Sequence, residues 1–199
     1  MTSSNNRTAE HPIETIFLDR WSPRAFDSSE IPDEDLAKIF EAARWAPSAS
    51  NIQPWNFSYA KRDTNHWQPY LDCLIDFNKS WVINASVLIF VVSRKFSVSP
   101  NGNRRENATH SFDTGAAWMA LALQAKQLGY DAHGMSGILK AQIAALLGLN
   151  EDFVVDAAIA IGTRAPADIL PPQLAEREVP SQRKAISEFV FEGKFVIQD

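Results

Sequence analysis

The stretch that decides the fold of this 199-residue chain reads Pro47-Ser48-Ala49-Ser50-Asn51-Ile52-Gln53-Pro54-Trp55. It follows a pattern typical of an amphipathic helix and precedes an alternation typical of a strand. Small and amide side chains stand between two prolines, so the turn has many hydrogen-bonding groups and little bulk. Such a turn predicts a place where a flat polar ligand lies against the backbone.

Another polar motif stands before that helix and reads Arg20-Trp21-Ser22-Pro23-Arg24-Ala25-Phe26. We call it the first motif, because it comes first in the chain. Guanidinium groups donate paired hydrogen bonds to phosphate oxygens, so two arginines and a serine make a candidate phosphate-binding set. Each motif alone also has a plain structural interpretation. The arginines are then surface charges, and the turn is simply the end of a helix.

Together the two motifs resemble those of the nitroreductase family of FMN-dependent oxidoreductases. That family opens with Arg-x-Ser-x-Arg/Lys-x-Phe and carries Pro-Ser-x-x-Asn-x-Gln-Pro-Trp between its first long helix and first strand. Both motifs are intact here and in the same order. The resemblance implies an α+β fold with a central, mostly antiparallel sheet wrapped by helices. It also implies an intertwined homodimer that exchanges C-terminal arms and binds FMN in the interface.

The resemblance further implies which residues bind FMN. The first motif would grip the phosphate, ribityl chain and ring carbonyls, and the turn would line the flavin from the partner subunit. Asn78 would hydrogen-bond the ring, Arg183 would bind the phosphate, and the backbone of residues 136–137 would approach the hydride-accepting nitrogen. No catalytic side chain is implied. The predicted cofactor-binding residues are Arg20, Ser22, Arg24, Pro47, Ser48, Ala49, Asn51, Asn78, Ser136, Gly137 and Arg183.

Three positions depart from the family pattern. Ala49 stands where many members have serine, Trp81 where many have a lysine near the ring, and Ser181 where a Lys-x-Arg pair has its lysine. The first hypothesis is an enzyme in which NADH or NADPH reduces FMN and a nitroaromatic, quinone or enone then accepts the hydride. The lost cations motivate an alternative from another class, a flavin-binding carrier or sensor with little turnover.

Composition agrees with a globular protein, since 45% of the residues are hydrophobic and 22% are charged. A net charge of -5 without a long basic run argues against a nucleic-acid partner. The single cysteine, Cys73, excludes an intramolecular disulfide and favours a cytoplasmic location. None of the four histidines has metal-site spacing, and the longest apolar run, residues 85–92, is too short to cross a membrane.

Helices and strands alternate without a regular βαβ rhythm, which favours an α+β fold. Residues 1–10 are polar, lack the apolar segment of a signal peptide, and are predicted to be a flexible tail. We expect one nitroreductase-like FMN-binding domain over residues 11–199, with a C-terminal arm from about residue 166. Helices are predicted over residues 12–18, 32–46, 67–77, 110–128 and 139–147, strands over 55–60, 86–93, 130–135 and 153–161, a loop over 95–107, an extended segment over 166–180, and a terminal strand or arm over 189–196.

Overall fold

The fold is seen in a computed structural model that describes residues 5–98 and 101–194. Its centre is an antiparallel four-stranded sheet with strand order β1-β2-β6-β5, and β3 and β4 form a separate hairpin. The strands are β1 (Trp55–Lys61), β2 (Val87–Arg94), β3 (Phe96–Val98), β4 (Arg104–Glu106), β5 (Asp131–Met135) and β6 (Phe153–Gly162).

Helices cover both faces of the sheet. One face carries α2 and α5, and the other carries α3, α4 and α6. Short 3-10 turns lie at Ala49–Asn51, Ala167–Ile169 and Ile186–Glu188. The helices are α1 (Ile16–Asp19), α2 (Asp33–Arg44), α3 (Trp67–Asp72), α4 (Asp76–Val82), α5 (His110–Gln127), α6 (Lys140–Leu147) and α7 (Pro172–Ala175).

Strand β2 explains why both faces are covered. Its side chains alternate between two apolar clusters, with Leu88 and Phe90 on one side and Val87 and Ile89 on the other. Each of these side chains is fully buried, and burying one contributes roughly 1.5–3 kcal/mol. The predicted buried strand and the predicted fold class, an antiparallel sheet with helices, are confirmed.

The segment predicted as one helix over residues 67–77 is two helices. Helix α3 ends at Asp72, because the next residues pair with the chain after β5. The amide of Leu139 donates to the carbonyl of Cys73 (2.8 Å), and the amide of Ile75 donates to the carbonyl of Gly137 (3.3 Å). These long-range hydrogen bonds replace helical ones, so the local apolar pattern could not predict the break.

Three other sequence predictions differ from the structure. The predicted loop over residues 95–107 contains the β3–β4 hairpin, in which Arg104 lies over the ring of Phe96 at 3.7 Å. The predicted extended segment over residues 166–180 contains a 3-10 turn and α7, which begins at a proline. Residues 189–194 form no strand, and the rest of the predicted terminal strand lies outside the described residues.

Segments predicted as helices or strands elsewhere have the expected type, with ends that shift by a few residues. Helix α2 keeps three acidic residues in its first turn, where they favour the positive end of the helix dipole. Gly148 ends α6 with a φ of 64°, the left-handed conformation common at helix ends. The first helix is shorter than predicted and begins at Ile16 rather than Pro12. Within the described residues, no helix is long and apolar enough to cross a membrane.

Candidate functional site

A cavity of about 250 Å³ lies between the first motif, strand β5 and the C-terminal segment. We call it the cationic cavity, because among the described residues five arginines line it. Three of them, Arg7, Arg20 and Arg24, come from the N-terminal part of the chain, and Arg177 and Arg183 come from the C-terminal segment. Its lining residues are Arg7, Arg20, Trp21, Ser22, Arg24, His133, Arg177, Val179, Ser181 and Arg183.

Arg7 ties the walls of this cavity together. Its side chain is buried and donates hydrogen bonds to the backbone carbonyls of Ser181 (2.8 Å), Arg20 (2.8 Å) and Leu18 (3.1 Å). Arg7 lies inside the tail predicted over residues 1–10, where the polar composition gave no sign of these contacts. The Arg7 guanidinium thus contacts Ser181, the position where the family that this sequence resembles has a lysine. It therefore places a positive charge at this position.

Three arginines of the cavity, Arg7, Arg20 and Arg183, repel one another. Burial lowers the pKa of Arg7, and the neighbouring charges of Arg183 and Arg20 lower it further. Burial and the charge of Arg183 also lower the pKa of Arg20, while Asp131 acts in the opposite direction. Like charges held this close favour a bound anion, because it removes their repulsion and accepts their hydrogen bonds.

Arg24 supplies a more specific sign of a missing partner. Its Nε is buried and donates a hydrogen bond to no acceptor in the described part of the chain. A buried donor without an acceptor is unfavourable by roughly 1–3 kcal/mol, so a ligand oxygen at this point would be strongly stabilised. The residues present therefore fit the phosphate or a carbonyl oxygen of FMN.

His133, on strand β5, is the buried imidazole of the cavity wall. Burial lowers its pKa to about 4, so the ring is neutral at neutral pH. Its Nδ1 lies 2.9 Å from the carbonyl oxygen of Pro23 and must donate to it, which fixes the tautomer. Trp81 packs against this ring with centroids 4.6 Å apart and is itself buried. The position where the family has a lysine is therefore part of the apolar packing.

Asn78 and Gly137 lie together beside this packing. The Asn78 side-chain amide donates to the carbonyl of Gly137 (2.9 Å), and Trp81 follows Asn78 by one turn of α4. A Cβ atom at position 137 would lie 2.5 Å from Asn78 Nδ2 and 2.8 Å from Ile75 Cδ1. A larger residue at position 137 would therefore have to displace the side chains of Asn78 and Ile75. Ser136, next to it, is exposed.

Residues 47–53, which we call the polar turn, are on the surface of the chain and do not line the cationic cavity. Ser50, Asn51 and Gln53 have φ values of 51°, 55° and 54°, which are unfavourable for residues other than glycine. Two contacts stabilise this conformation. The Ala49 amide donates to Asp113 Oδ2 (3.1 Å), and the Gln53 amide donates to Ser48 Oγ (3.0 Å).

The structure thus groups the predicted residues in three places. Arg20, Ser22, Arg24 and Arg183 line the cationic cavity, Asn78, Ser136 and Gly137 lie beside its His133 wall, and Pro47, Ser48, Ala49 and Asn51 form the separate polar turn. Sequence reasoning missed Arg7, Arg177 and the buried acids Asp113 and Glu178. The only sequence signal for Arg177 was its closeness to Arg183, and the other three have no local signal.

Comparison with known proteins gives the same family. The profile described as "Nitroreductase family" matches residues 18–78 and 74–163. This chain belongs to the nitroreductase family. A CLA biosynthesis enone reductase from Lactiplantibacillus plantarum is 28% identical over 200 residues, which cover 83% of this chain and 91% of the relative. A putative NAD(P)H nitroreductase, YdgI of Bacillus subtilis, is 27% identical over 69% of this chain and 80% of its own length.

A solved structure of an oxidoreductase that contains FMN is more similar. It is 52% identical, the alignment covers 100% of both chains, and the TM-score is 0.96. The predicted family and fold are therefore confirmed. The family match and these relatives also support the predicted enzyme class, a flavin-dependent oxidoreductase.

Proposed function

We propose that this protein is an FMN-dependent oxidoreductase that takes a hydride from NADH or NADPH and passes it to an electron-poor acceptor. The observation that carries this proposal is the cationic cavity, whose arginines repel one another and whose Arg24 has an unused buried donor. A cofactor with a phosphate group and further hydrogen-bond acceptors would reduce the repulsion between the arginines and accept the hydrogen bond of Arg24 Nε. The FMN-containing relative with 52% identity supports the choice of FMN over other phosphorylated cofactors.

Each group of residues then has a defined task. Arg7, Arg20, Arg177 and Arg183, which line the cavity, would bind the phosphate, and Ser22 would add a hydroxyl donor. Arg24 would supply positive charge to the flavin ring, which gains negative charge on reduction. The backbone at Ser136 and Gly137 would approach the flavin ring. When bound, FMN supplies the hydride chemistry that no side chain of this protein can provide.

The remaining contribution of the protein is orientation and exclusion of water. His133 is neutral and donates its Nδ1 proton to Pro23, so it holds the first motif against β5 without adding charge. No side-chain acid or base is needed for the hydride step itself, since holding donor and acceptor face to face lowers the barrier. Nicotinamide and acceptor use the same place in turn, which predicts ping-pong kinetics.

We further propose that the protein works as a homodimer, with the polar turn of one protomer lining the flavin bound to its partner. The polar turn is exposed and lies apart from the cationic cavity of its own chain. Two large apolar side chains near it are also exposed, Trp45 after α2 (73%) and Phe112 on α5 (81%). Burying such side chains in an interface is favourable. The C-terminal arm and the cytoplasmic location stay predictions.

The physiological hydride acceptor is the most specific part of the proposal. Nitroaromatics, quinones and enones are the acceptor classes that the family resemblance implies. The relative from Lactiplantibacillus plantarum is an enone reductase and aligns over 83% of this chain, which puts enones first among the acceptors to be assayed. The nitroreductase relative supports nitroaromatics as the second class.

A carrier or sensor with little turnover is the alternative. It was motivated by the lost cations at positions 81 and 181. At the second position, Arg7 supplies a guanidinium that contacts the Ser181 carbonyl, which weakens that motive. Steady-state oxidation of NAD(P)H with menadione, an enone or a nitroaromatic separates the two functions, because only an enzyme turns over repeatedly.

The first test is the visible absorbance spectrum of the purified protein, repeated after anaerobic addition of NADH or NADPH. Flavin bands that bleach with one of the nucleotides support the oxidoreductase. Flavin bands that persist with both nucleotides favour the carrier or sensor. Absence of flavin bands, even after incubation with FMN, would contradict the proposed cofactor.

A further inference from the structure

The side chain of Glu178 forms hydrogen bonds with the backbone of the first motif. Its Oε1 accepts hydrogen bonds from the backbone amides of Arg24 (2.6 Å) and Ala25 (2.8 Å). Its Oε2 has no hydrogen-bond partner in the described part of the chain and lies 3.9 Å from an Arg24 side-chain nitrogen. The carboxylate is 4% exposed, so water does not substitute for these contacts.

The position of Glu178 is set by the core. Leu170 and Leu174, just before it, are buried in the apolar cluster on the α3, α4 and α6 side of the sheet. Backbone hydrogen bonds within the turn after α7 then place Glu178, whose amide donates to the carbonyl of Ala175 (3.1 Å). The carboxylate therefore approaches the first motif from a fixed segment of backbone.

The two amides depend on this carboxylate. Ala25 and Phe26 are fully buried, and the neighbouring backbone pairs with residues 163–165 through Ala25 and Asp27. The amides of Arg24 and Ala25 point the other way, toward Glu178. Without an acceptor, buried amides are unfavourable by roughly 1–3 kcal/mol each, so the strand-like course of this segment would change.

We propose that Glu178 is a positioning residue for the cofactor site, which holds the backbone of Arg24 and Ala25 so that the Arg24 guanidinium faces the cationic cavity. This inference rests on the proposed function, since the ligand of Arg24 is FMN. The carboxylate acts through its reach to the two amides. Its negative charge is a disadvantage for binding an anion, because it partly neutralises Arg24.

Two substitutions at position 178 separate the effect of side-chain length from the effect of charge. Glu178→Gln keeps the length and one carbonyl oxygen but removes the charge. Glu178→Asp keeps the charge, but its side chain is one methylene shorter and does not reach both amides. Glu176→Asp is the matched control, because Glu176 is exposed in the same segment.

The measurement is the dissociation constant of FMN, obtained from the flavin fluorescence released on dilution of each holoprotein. We expect Glu178→Asp to weaken FMN binding about tenfold, the effect of losing one buried hydrogen bond, and Glu178→Gln to stay within about threefold of the wild type. Hydrogen exchange of a peptide covering residues 20–26 is the second readout. It should be faster in Glu178→Asp and unchanged in Glu178→Gln and Glu176→Asp.

The opposite order, with Glu178→Gln weaker than Glu178→Asp, would mean that charge rather than reach matters and would overturn the inference. Wild-type affinity and exchange in both variants would overturn it as well. If the wild-type protein itself binds no FMN, the proposed function fails. A wild-type protein that binds FMN, with no response to Glu178→Asp, removes only the role of Glu178.

Discussion

The cationic cavity and the polar turn both raise the free energy of the folded chain, but for different physical reasons. The cavity brings together arginines whose charges repel one another, so its unfavourable free energy is electrostatic. In the polar turn, Ser50, Asn51 and Gln53 have positive φ values although none of them is glycine. Its unfavourable free energy is therefore conformational. Functional sites often retain such strain because the surrounding structure fixes it.

A buried carboxylate stabilises each region by the same means. Glu178 accepts the backbone amides of Arg24 and Ala25 at the cavity, and Asp113 accepts the Ala49 amide at the polar turn. In both cases the acid comes from a distant part of the chain and accepts hydrogen bonds from backbone amides, and Glu178 also lies 3.9 Å from the Arg24 side chain. The comparison teaches that the binding groups and the groups that position them are different residues in this fold.

The largest expected effect tests the electrostatic character of the cavity wall through His133. Its pKa is lowered from 6.5 to about 4, so between these pH values the unfolded chain binds a proton at this imidazole and the folded protein does not. The contribution of the neutral imidazole to the free energy of unfolding is therefore fully present above pH 6.5 and is lost as the pH falls toward about 4. The shift corresponds to about 3 kcal/mol of unfolding free energy.

Urea unfolding of the wild type and of His133→Gln at about pH 7 and about pH 4 measures this contribution. The variant should lose less stability on acidification than the wild type, because it has no buried imidazole to protonate. The control is His66→Gln, at an exposed position. An equal loss in His133→Gln and the wild type would show that the imidazole is not a source of acid instability.

The next effect separates binding from stability at Arg20. Arg20→Gln should weaken FMN binding by about tenfold to hundredfold, the usual range for a hydrogen bond to a charged group. The same change should raise the melting temperature of the apoprotein, because it removes a charge that burial and Arg183 disfavour. Calorimetry with and without FMN measures both effects.

Opposite signs for the two effects of Arg20→Gln would support a cavity that is charged for its ligand. A lower melting temperature of the apoprotein would instead mean that Arg20 stabilises the fold. Arg105→Gln, in the exposed strand β4, is the matched control and should change neither quantity.

The two regions also differ in how far they could be predicted from sequence. The polar turn and the first motif are each a continuous stretch of sequence, so their residue types and order identified the family and predicted most of the candidate binding groups. Helix α2 and strand β2 were predicted because their apolar spacing is itself a consequence of the faces they bury. The positive φ values of Ser50 and Asn51 could not be predicted, because neither residue requires them.

Residues that act across long sequence separations were missed for a common reason. Arg7 contacts Ser181, and Glu178 contacts Arg24, so neither role exists until the chain termini meet. The break between α3 and α4 has the same origin, since Leu74 pairs with Ile138. Local patterns carry no information about such pairings, and an arginine in a polar tail resembles any solvated charge.

A smaller effect tests the carboxylate of the polar turn. Asp113→Ala removes the acceptor of the Ala49 amide and of the Thr109 hydroxyl (2.9 Å), so the turn should lose its fixed course. We expect FMN binding about tenfold weaker, from fluorescence titration, if the turn lines the flavin. Asp113→Asn keeps a carbonyl oxygen and should recover most of the affinity. Unchanged binding in Asp113→Ala would separate the turn from the cofactor.

The smallest effect sharpens the difference between electrostatic and conformational strain. Ser50 has a φ of 51° and a ψ of 24°, which glycine adopts without a steric penalty. Ser50→Gly should therefore stabilise the fold by less than about 1 kcal/mol, since the relief of strain is partly offset by the flexibility of glycine in the unfolded chain. Ser80→Gly, inside helix α4, is the matched control and should destabilise by about the same amount. If urea unfolding shows Ser50→Gly to be destabilising as well, contacts other than the backbone conformation hold the turn. The strain would then be confined to the cationic cavity.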